Sequence, residues 1–338
     1  MNKKNSKIKI DDIAKIAGVS KGAVSYVLNN KPGVSKEVRE RILQIIEMYN
    51  YKPNKLAQAL AGKRTNFIAL VIPDISDMFY ARIIKGVEET LAKYGYYLNL
   101  YSTHANPERE HQVFDFLDMG IVDGVIVMAY HIKKDFVEKI AEKEIPFVFI
   151  DYPYESERIY SVLVDNEEGG FKATEYLISL GHRKIAFIHG SQDAWDSFAR
   201  FSGYLKALEK YNIPFNENLI KRGDFTKEGG YNAVKELIES GEEFSAIFSA
   251  NDHMAFGAIK ALKEKGLNVP RDISLIGFDN IEASALSSPP LTTIMQPIMQ
   301  VGKKAAEILI KILSGEPPRQ KRYLLKTQLI ERKSCRKI

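Results

Sequence analysis

At 338 residues the chain is too long for one ordinary core and requires two or three compact units. Its 45% hydrophobic and 27% charged residues suit a globular protein. No apolar run reaches the length of a membrane span, and the opening segment MNKKNSKIKI lacks the apolar core of a secretory leader, so a cytoplasmic location with no membrane partner is expected. One cysteine, Cys335, excludes an internal disulfide and any cysteine-cluster metal site; the formal charge of +5 is concentrated, with 14 bases against 5 acids in residues 1–64 and a net of −4 in the rest.

Residues 1–7 form a polar arm without periodicity. Two short helical patterns follow in IAKIAGVSKGAVSYVLN, Ile13 to Asn29. Ile13, Ala14, Ile16 and Ala17 mark the first helix, which begins at Asp11 or Asp12 and stops at Gly18. Val24, Val27 and Leu28 mark the second, which Ser20 caps. The Gly18-Val19-Ser20 junction is too tight for anything but a turn, so the unit is a helix-turn-helix. Ser35 caps a third helix, Lys36 to Asn50, whose Val38, Ile42, Ile45 and Ile46 close a core with Ile13, Val24 and Leu28. This domain spans residues 1–51, and its charge attracts the phosphate backbone of double-stranded DNA.

PNKLAQALAGKRT, Pro53 to Thr65, is a helical run near the length at which an isolated helix is unstable in water, so residues 52–65 read as a hinge ordered by something outside it. From Asn66 to Ile338 apolar strands alternate with amphipathic helices. Strands are expected at 67–72, 97–101, 124–128, 147–150, 162–164, 185–189, 219–222, 246–249, 273–278 and 292–295, with two more near 320–325 and 328–332. Helices are expected between them, including one at 133–144. Such alternation implies parallel sheets covered on both faces, and so many strands imply two α/β lobes.

In their order and spacing, DIAKIAGVSKGAVSYVLN, VSKEVRERI and NYKPNKLAQALAGKRT resemble the DNA-binding head and hinge of the LacI/GalR family of bacterial transcription regulators. VIPDISDMFYARIIKGVEE, GHRKIAFIHG, SANDHMAFGAIKAL, ISLIGFDN and PPLTTIMQP resemble its effector-binding core. The resemblance implies a two-lobed core like a periplasmic sugar-binding protein with three crossovers near Asp165, Thr292 and Arg322. One lobe would hold 66–161 and 292–321, the other 162–291 and 322–338. It also implies a homodimer, or a tetramer built from dimers, that binds a pseudo-palindromic operator under the control of a small, sugar-like effector. An effector-free member answering to a protein co-repressor is the alternative.

The exposed start of the second helix offers Ser20, Lys21, Gly22, Ala23, Ser25 and Tyr26 for DNA contact. By resemblance Lys21, Gly22 and Tyr26 hold the specificity positions. Lys21 is read equally well as a donor to guanine or as a phosphate contact, and Asn29 as a phosphate positioner. In the hinge, the resemblance implies that Leu60 wedges into a minor-groove step beside Asn54, Lys55 and Ala57.

Small ligands of α/β proteins bind at the C-terminal ends of parallel strands, which here carry Asp77, Phe79, Tyr80, Asp151, Asn251 and Asp279, with Gln296 after the strand at 292. Trp195 reads equally well as a further apolar face or as surface packing at the start of a helix. Asp252 is expected to cap a helix. Phe198 stands nearest to where relatives place a ligand-pairing arginine, which leaves Arg200 a structural role. The rival readings are an enzyme with a DNA-binding appendage and an exported solute receptor. Against the enzyme, no glycine-rich nucleotide loop or Gly-x-Ser-x-Gly follows a strand and the six histidines lack metal-ligand spacing, so no catalytic residue, cofactor or metal is expected. A receptor would leave the basic head unexplained.

Overall fold

The computed structural model describes residues 8–51, 64–117, 119–129, 137, 138, 142, 145–152, 159–192 and 194–338. It divides the chain into two compact units, Met1–Thr65 and Asn66–Ile338.

In the first unit, α1 (Ile10–Ala17), α2 (Lys21–Leu28) and α3 (Lys36–Met48) pack around Ile13, Ala17, Val24, Val27, Ile42 and Ile45. Gly18, at φ +66°, makes the left-handed turn that ends α1, a conformation costly to any residue with a Cβ. Ser20 Oγ accepts from Ala23 N at 3.2 Å and Ser35 Oγ from Val38 N at 3.4 Å, so two hydroxyls cap the helices that follow them. Lys9 offers α1 no such acceptor, and Asp12 instead reaches back to Lys9 N at 2.9 Å. Ile16 is exposed, because Ala14 and Ala17 occupy the inward face of α1 beside Ile13.

The second unit holds two six-stranded sheets. β1 (Phe67–Ile72), β2 (Tyr97–Ser102), β3 (Gly124–Val127), β4 (Phe147–Ile150), β5 (Tyr160–Val164) and β11 (Arg322–Leu325) form one, in the order β11-β5-β4-β3-β1-β2. β6 (Ile185–His189), β7 (Ile220–Arg222), β8 (Ala246–Ser249), β9 (Ser274–Asp279), β10 (Thr292–Met295) and β12 (Gln328–Ile330) form the other, in the order β12-β10-β9-β8-β6-β7. Every pairing is parallel except β10 with β12. Central strands such as β1, β3, β5, β8 and β9 are buried along almost their whole length, as continuous apolar runs between two helical layers require.

The chain passes between sheets after Val164, Met295 and Leu325, which corrects the expected lobe limits. β5 extends the first sheet through Ile150↔Val162, and β11 follows through Arg322↔Ser161, so neither belongs to the second lobe. β10 pairs with β9 through Thr292↔Ile276 and lies in the second sheet, not the first. In each case the strand completes its pairing with its own sheet before the chain crosses. The crossover at Asp165 stands where it was expected; the other two fall about one strand later. The helix expected at 133–144 lies largely outside the described residues, and a short helix, Glu282–Leu286, was not anticipated.

One close approach positions a functional side chain. The helices Asn166–Ser179 (α6) and Trp195–Lys210 (α7) touch backbone to backbone: a Cβ on Gly170 would lie 2.1 Å from Arg200 O, and one on Gly203 would lie 2.0 Å from Glu167 O. The two glycines let α7 sink against α6 far enough for Arg200 to reach Asn166.

Candidate functional site

On the head, Ser20, Lys21, Gly22, Tyr26 and Asn29 are exposed while Val24 and Val27 between them are buried. Ala23 and Ser25 are half-buried. These residues therefore share one solvent face along α2, from its N-cap Ser20 to its C-cap Asn29. Lys21 Nζ rests 3.1 Å from Asp11 in an exposed ion pair that costs little to break. The Tyr26 ring packs 3.5 Å from where Gly33 would carry a Cβ, and Asn29 Nδ2 donates to Ser25 O at 2.5 Å. The hinge residues Asn54, Lys55, Ala57 and Leu60 lie outside the described residues.

In the core, a cavity of about 300 Å³ lies between the two lobes. Asp74, Asp77 and His104 line it from the loops after β1 and β2, and Phe79 and Tyr80 from the first turn of the helix Met78–Lys93. Opposite stand Ser191, Asp224, Phe225, Asn251 and Asp279, each at or just beyond the C-terminal end of a second-sheet strand, with Asp196 and Arg200 from the first turns of α7. Of the expected ligand residues, Asp77, Phe79, Tyr80, Asn251 and Asp279 converge here.

Three do not. The Asp151 carboxylate accepts from Val164 N at 2.9 Å, an intersegment brace made possible by the left-handed backbone at Asp151, φ +52°. Trp195 is half-exposed, one residue before the lining residue Asp196. Gln296 is buried behind the cavity and donates through Nε2 to Asp279 Oδ1 at 2.6 Å, so it positions a lining residue and does not line the cavity itself. Asp252 also departs from its expected role. Asn251 caps α9 (Asp252–Glu264), its Oδ1 accepting from Met254 N at 2.9 Å, while Asp252 turns inward to Ser284 Oγ and Thr293 Oγ1, each at 2.6 Å.

Arg200, given only a structural role in the sequence reading, also lines the cavity. Its side chain is buried; Nε donates to Asn166 Oδ1 at 2.9 Å, Nη1 to Ala250 O at 2.6 Å and Nη2 to Asp196 Oδ2 at 2.8 Å. The guanidinium lies 4.0 Å from the centre of the Phe278 ring and 3.9 Å from Asp279 Oδ1. The spacing Asp196-x-x-x-Arg200 on the first turns of a helix that follows a strand was the available signal. Phe198, which stands nearest that position, is exposed, its ring centre 6.1 Å from that of His189 in a tilted pair.

Burial pushes the Asp279 carboxyl well above the ordinary carboxylate range; Arg200 draws it down and Asp252 pushes it up. Burial likewise raises Asp252 to about 6, against the hydrogen bonds from Ser284, Thr293 and Ile281 N. Asp77 behaves oppositely. Burial opposes ionisation, but hydrogen bonds from His253 and from Phe79 N prevail and hold the carboxyl below its usual range. Arrays of this kind accept hydrogen bonds from a ligand's hydroxyls while Phe79, Tyr80 and Phe225 cover apolar ring faces.

Comparison with known proteins agrees with this division. Residues 9–54 match the model of bacterial regulatory proteins, lacI family, and residues 174–335 match a periplasmic binding protein-like domain. The chain is 34% identical over 330 residues to the HTH-type transcriptional repressor PurR of Vibrio atlanticus (strain LGP32), covering 97% of this chain and 99% of that one. Among solved structures it is similar to a complex of the transcriptional regulator CelR with cellobiose, at 31% identity and a TM-score of 0.76 over 97% of this chain and 99% of that one. It is also similar to the lac repressor dimer bound to operator and the anti-inducer ONPF, at 28% identity and a TM-score of 0.83 over the same shares.

Proposed function

The chain belongs to the lacI family of bacterial regulatory proteins, and we propose that this member reads its operator through the exposed start of α2 and answers to a polyhydroxy ligand held between its core lobes. It is a DNA-binding transcription repressor with a small-molecule effector, not an enzyme. The observation that carries the finer reading is the convergence of Asp77, Asn251 and Asp279 with three aromatic rings on one interlobe cavity. Aligned carboxylates suit paired hydroxyls, and the rings suit the apolar face of a pyranose or furanose.

On the head, Lys21, Gly22 and Tyr26 read base edges in the major groove, with Ser20, Ala23, Ser25 and Asn29 around them. Asn54, Lys55, Ala57 and Leu60 enter the minor groove. Two copies bind a pseudo-palindrome. The surface that brings them together is the edge strand β2 with its flank, where Tyr94, Tyr97, Leu100, Phe116 and Met119 are exposed. An uncovered strand edge with so much apolar surface favours association, and a similar repressor is a dimer on its operator. Cleft closure and operator binding are then linked equilibria.

The deciding experiment is a footprint and gel-shift on the DNA flanking the protein's own gene, with and without a panel of neutral sugars, hexosamines and nucleosides. Protection of a two-fold symmetric site, altered by a polyol, is the expected result. Protection that only a nucleoside alters would replace the polyol reading.

A further inference from the structure

Two hydrogen bonds reach across the cleft from the start of the helix Met78–Lys93. Its N-cap, Asp77, accepts through Oδ1 from Phe79 N at 2.8 Å and meets His253 Nε2 of the second lobe at 3.4 Å. Further along the same helix, Arg82 Nη1 donates to Asn280 O at 3.2 Å. Both second-lobe partners stand beside cavity residues, His253 close behind Asn251 and Asn280 directly after Asp279. The cavity wall and the interlobe bonds are therefore built from the same strand ends.

The imidazole is held for this contact. Phe256, one turn along α9, meets its ring at a centre-to-centre distance of 6.4 Å with the planes 83° apart. Asp252, the nearer carboxylate in sequence, is bound instead to Ser284, Thr293 and Ile281 N. The side chains of Asp77 and His253 are only 32% and 25% exposed, so water screens the pair in part. Burial opposes ionisation of Asp77, yet the His253 bond is foremost among those that hold its carboxyl below the usual range. Asp77 Oδ2 makes no hydrogen bond among the described residues and is left for a ligand. Both interlobe bonds are longer than the ordinary length of about 2.9 Å, so a slight further closure shortens them together.

We infer that His253 is a positioning residue of the effector site: from the opposite lobe it holds the Asp77 carboxylate at the cavity wall and, together with Arg82 on Asn280, forms a clasp that tightens as the lobes close on a ligand. The inference rests on the polyol reading of the cavity and adds the residues that tie its two walls together. A ligand hydroxyl on Asp77 Oδ2 and the clasp on Oδ1 favour the same closed arrangement, so each strengthens the other.

Two measurements on the full chain test this separately. With aspartate carboxyls labelled for carbon NMR, the Asp77 resonance, assigned by its loss in Asp77→Ser, should titrate at higher pH in His253→Phe than in wild type. His253→Gln, whose amide can still donate, should return it most of the way. Isothermal titration with glucose, galactose, ribose and cellobiose then reads the site. A sugar that binds wild type should bind His253→Phe about tenfold more weakly and His253→Gln within about threefold of wild type. An Asp77 titration that His253→Phe leaves in place would overturn the clasp, whatever the sugars do. A moved titration with unchanged sugar affinity would overturn the positioning role. Absence of binding by every sugar to wild type would remove the polyol reading, while the Asp77 titration would still decide the clasp.

Discussion

Gln296 Nε2 lies 2.6 Å from Asp279 Oδ1, and both side chains are buried. Gln296 follows the last residue of β10 and precedes the helix Ile298–Leu313, so the bond ties an acid of the cavity to a crossover between lobes. Gln296→Glu sets a second carboxyl against Asp279. The expected cost at pH 7.5 is on the order of 2 kcal/mol, read as a melting temperature several degrees lower. As pH falls and the pair comes to share a proton, the gap should narrow. Equal melting of variant and wild type at pH 7.5 would show that water reaches the pair.

Asp151 gives a pH dependence of its own. Burial raises its carboxyl from the ordinary value of 3.8 to about 7. A raised acid binds its proton more tightly in the folded than in the unfolded chain. Its contribution is therefore complete below about pH 4 and is lost as pH rises towards 7. Asp151→Asn keeps an acceptor for Val164 N and removes the titration. The variant should match wild type near pH 4 and exceed it above pH 7, on the order of 1–2 kcal/mol by denaturant unfolding. Parallel stability curves across that range would exclude a desolvated carboxyl.

Gly203→Ala tests how Arg200 is placed. The new methyl group would lie 2.0 Å from Glu167 O, a backbone atom that cannot swing aside, so α6 and α7 must separate. A loss of about 2–4 kcal/mol in core stability is expected, together with weaker effector binding as Arg200 withdraws from Asn166. Unfolding midpoints that coincide with wild type would show that the two helices have slack.

Why some of this was legible and some not follows from range. The capping hydroxyls Ser20 and Ser35, the turn at Gly18 and the buried runs of β1 and β4 announce themselves within a few residues, because propensity and periodicity are local. That Asp77, Phe79, Asn251 and Asp279 gather on one cavity followed from their places at or near strand ends. Arg200 did not, since its role depends on Asn166 and Ala250, 34 and 50 residues away along the chain. Asp252 and Gln296 were misread for the same reason: their partners Ser284, Thr293 and Asp279 are contributed by other elements. The lobe limits failed by about one strand, because hydropathy marks β5, β10 and β11 as strands without saying which sheet each one joins.

Lys21 distinguishes base reading from phosphate anchoring. The exposed pair with Asp11 contributes little to stability, so Lys21→Ala should fold normally. Operator affinity should fall roughly tenfold, and the slope of log affinity against log salt should become shallower by about one. Base reading adds a further sign: discrimination between the operator and a site altered at one symmetric base pair should relax. Uniform weakening across both sites would assign Lys21 to the backbone alone.

Leu60 is proposed as the second reading element. It lies on a short run, Pro53 to Gly62, beside a strongly basic head. A leucine inserted between base pairs offsets the cost of unstacking, a few kcal/mol per step, by bending the duplex toward more protein surface. Removing its side chain should therefore weaken operator binding by roughly 10- to 100-fold and straighten the DNA, read by energy transfer between dyes at the two ends of an operator fragment. Dimerisation, assigned to the core face around Tyr97 and Leu100, should persist in sedimentation of Leu60→Ala. Loss of the dimer in that variant would move Leu60 from the groove to the subunit interface; unchanged affinity and bend together would falsify the wedge.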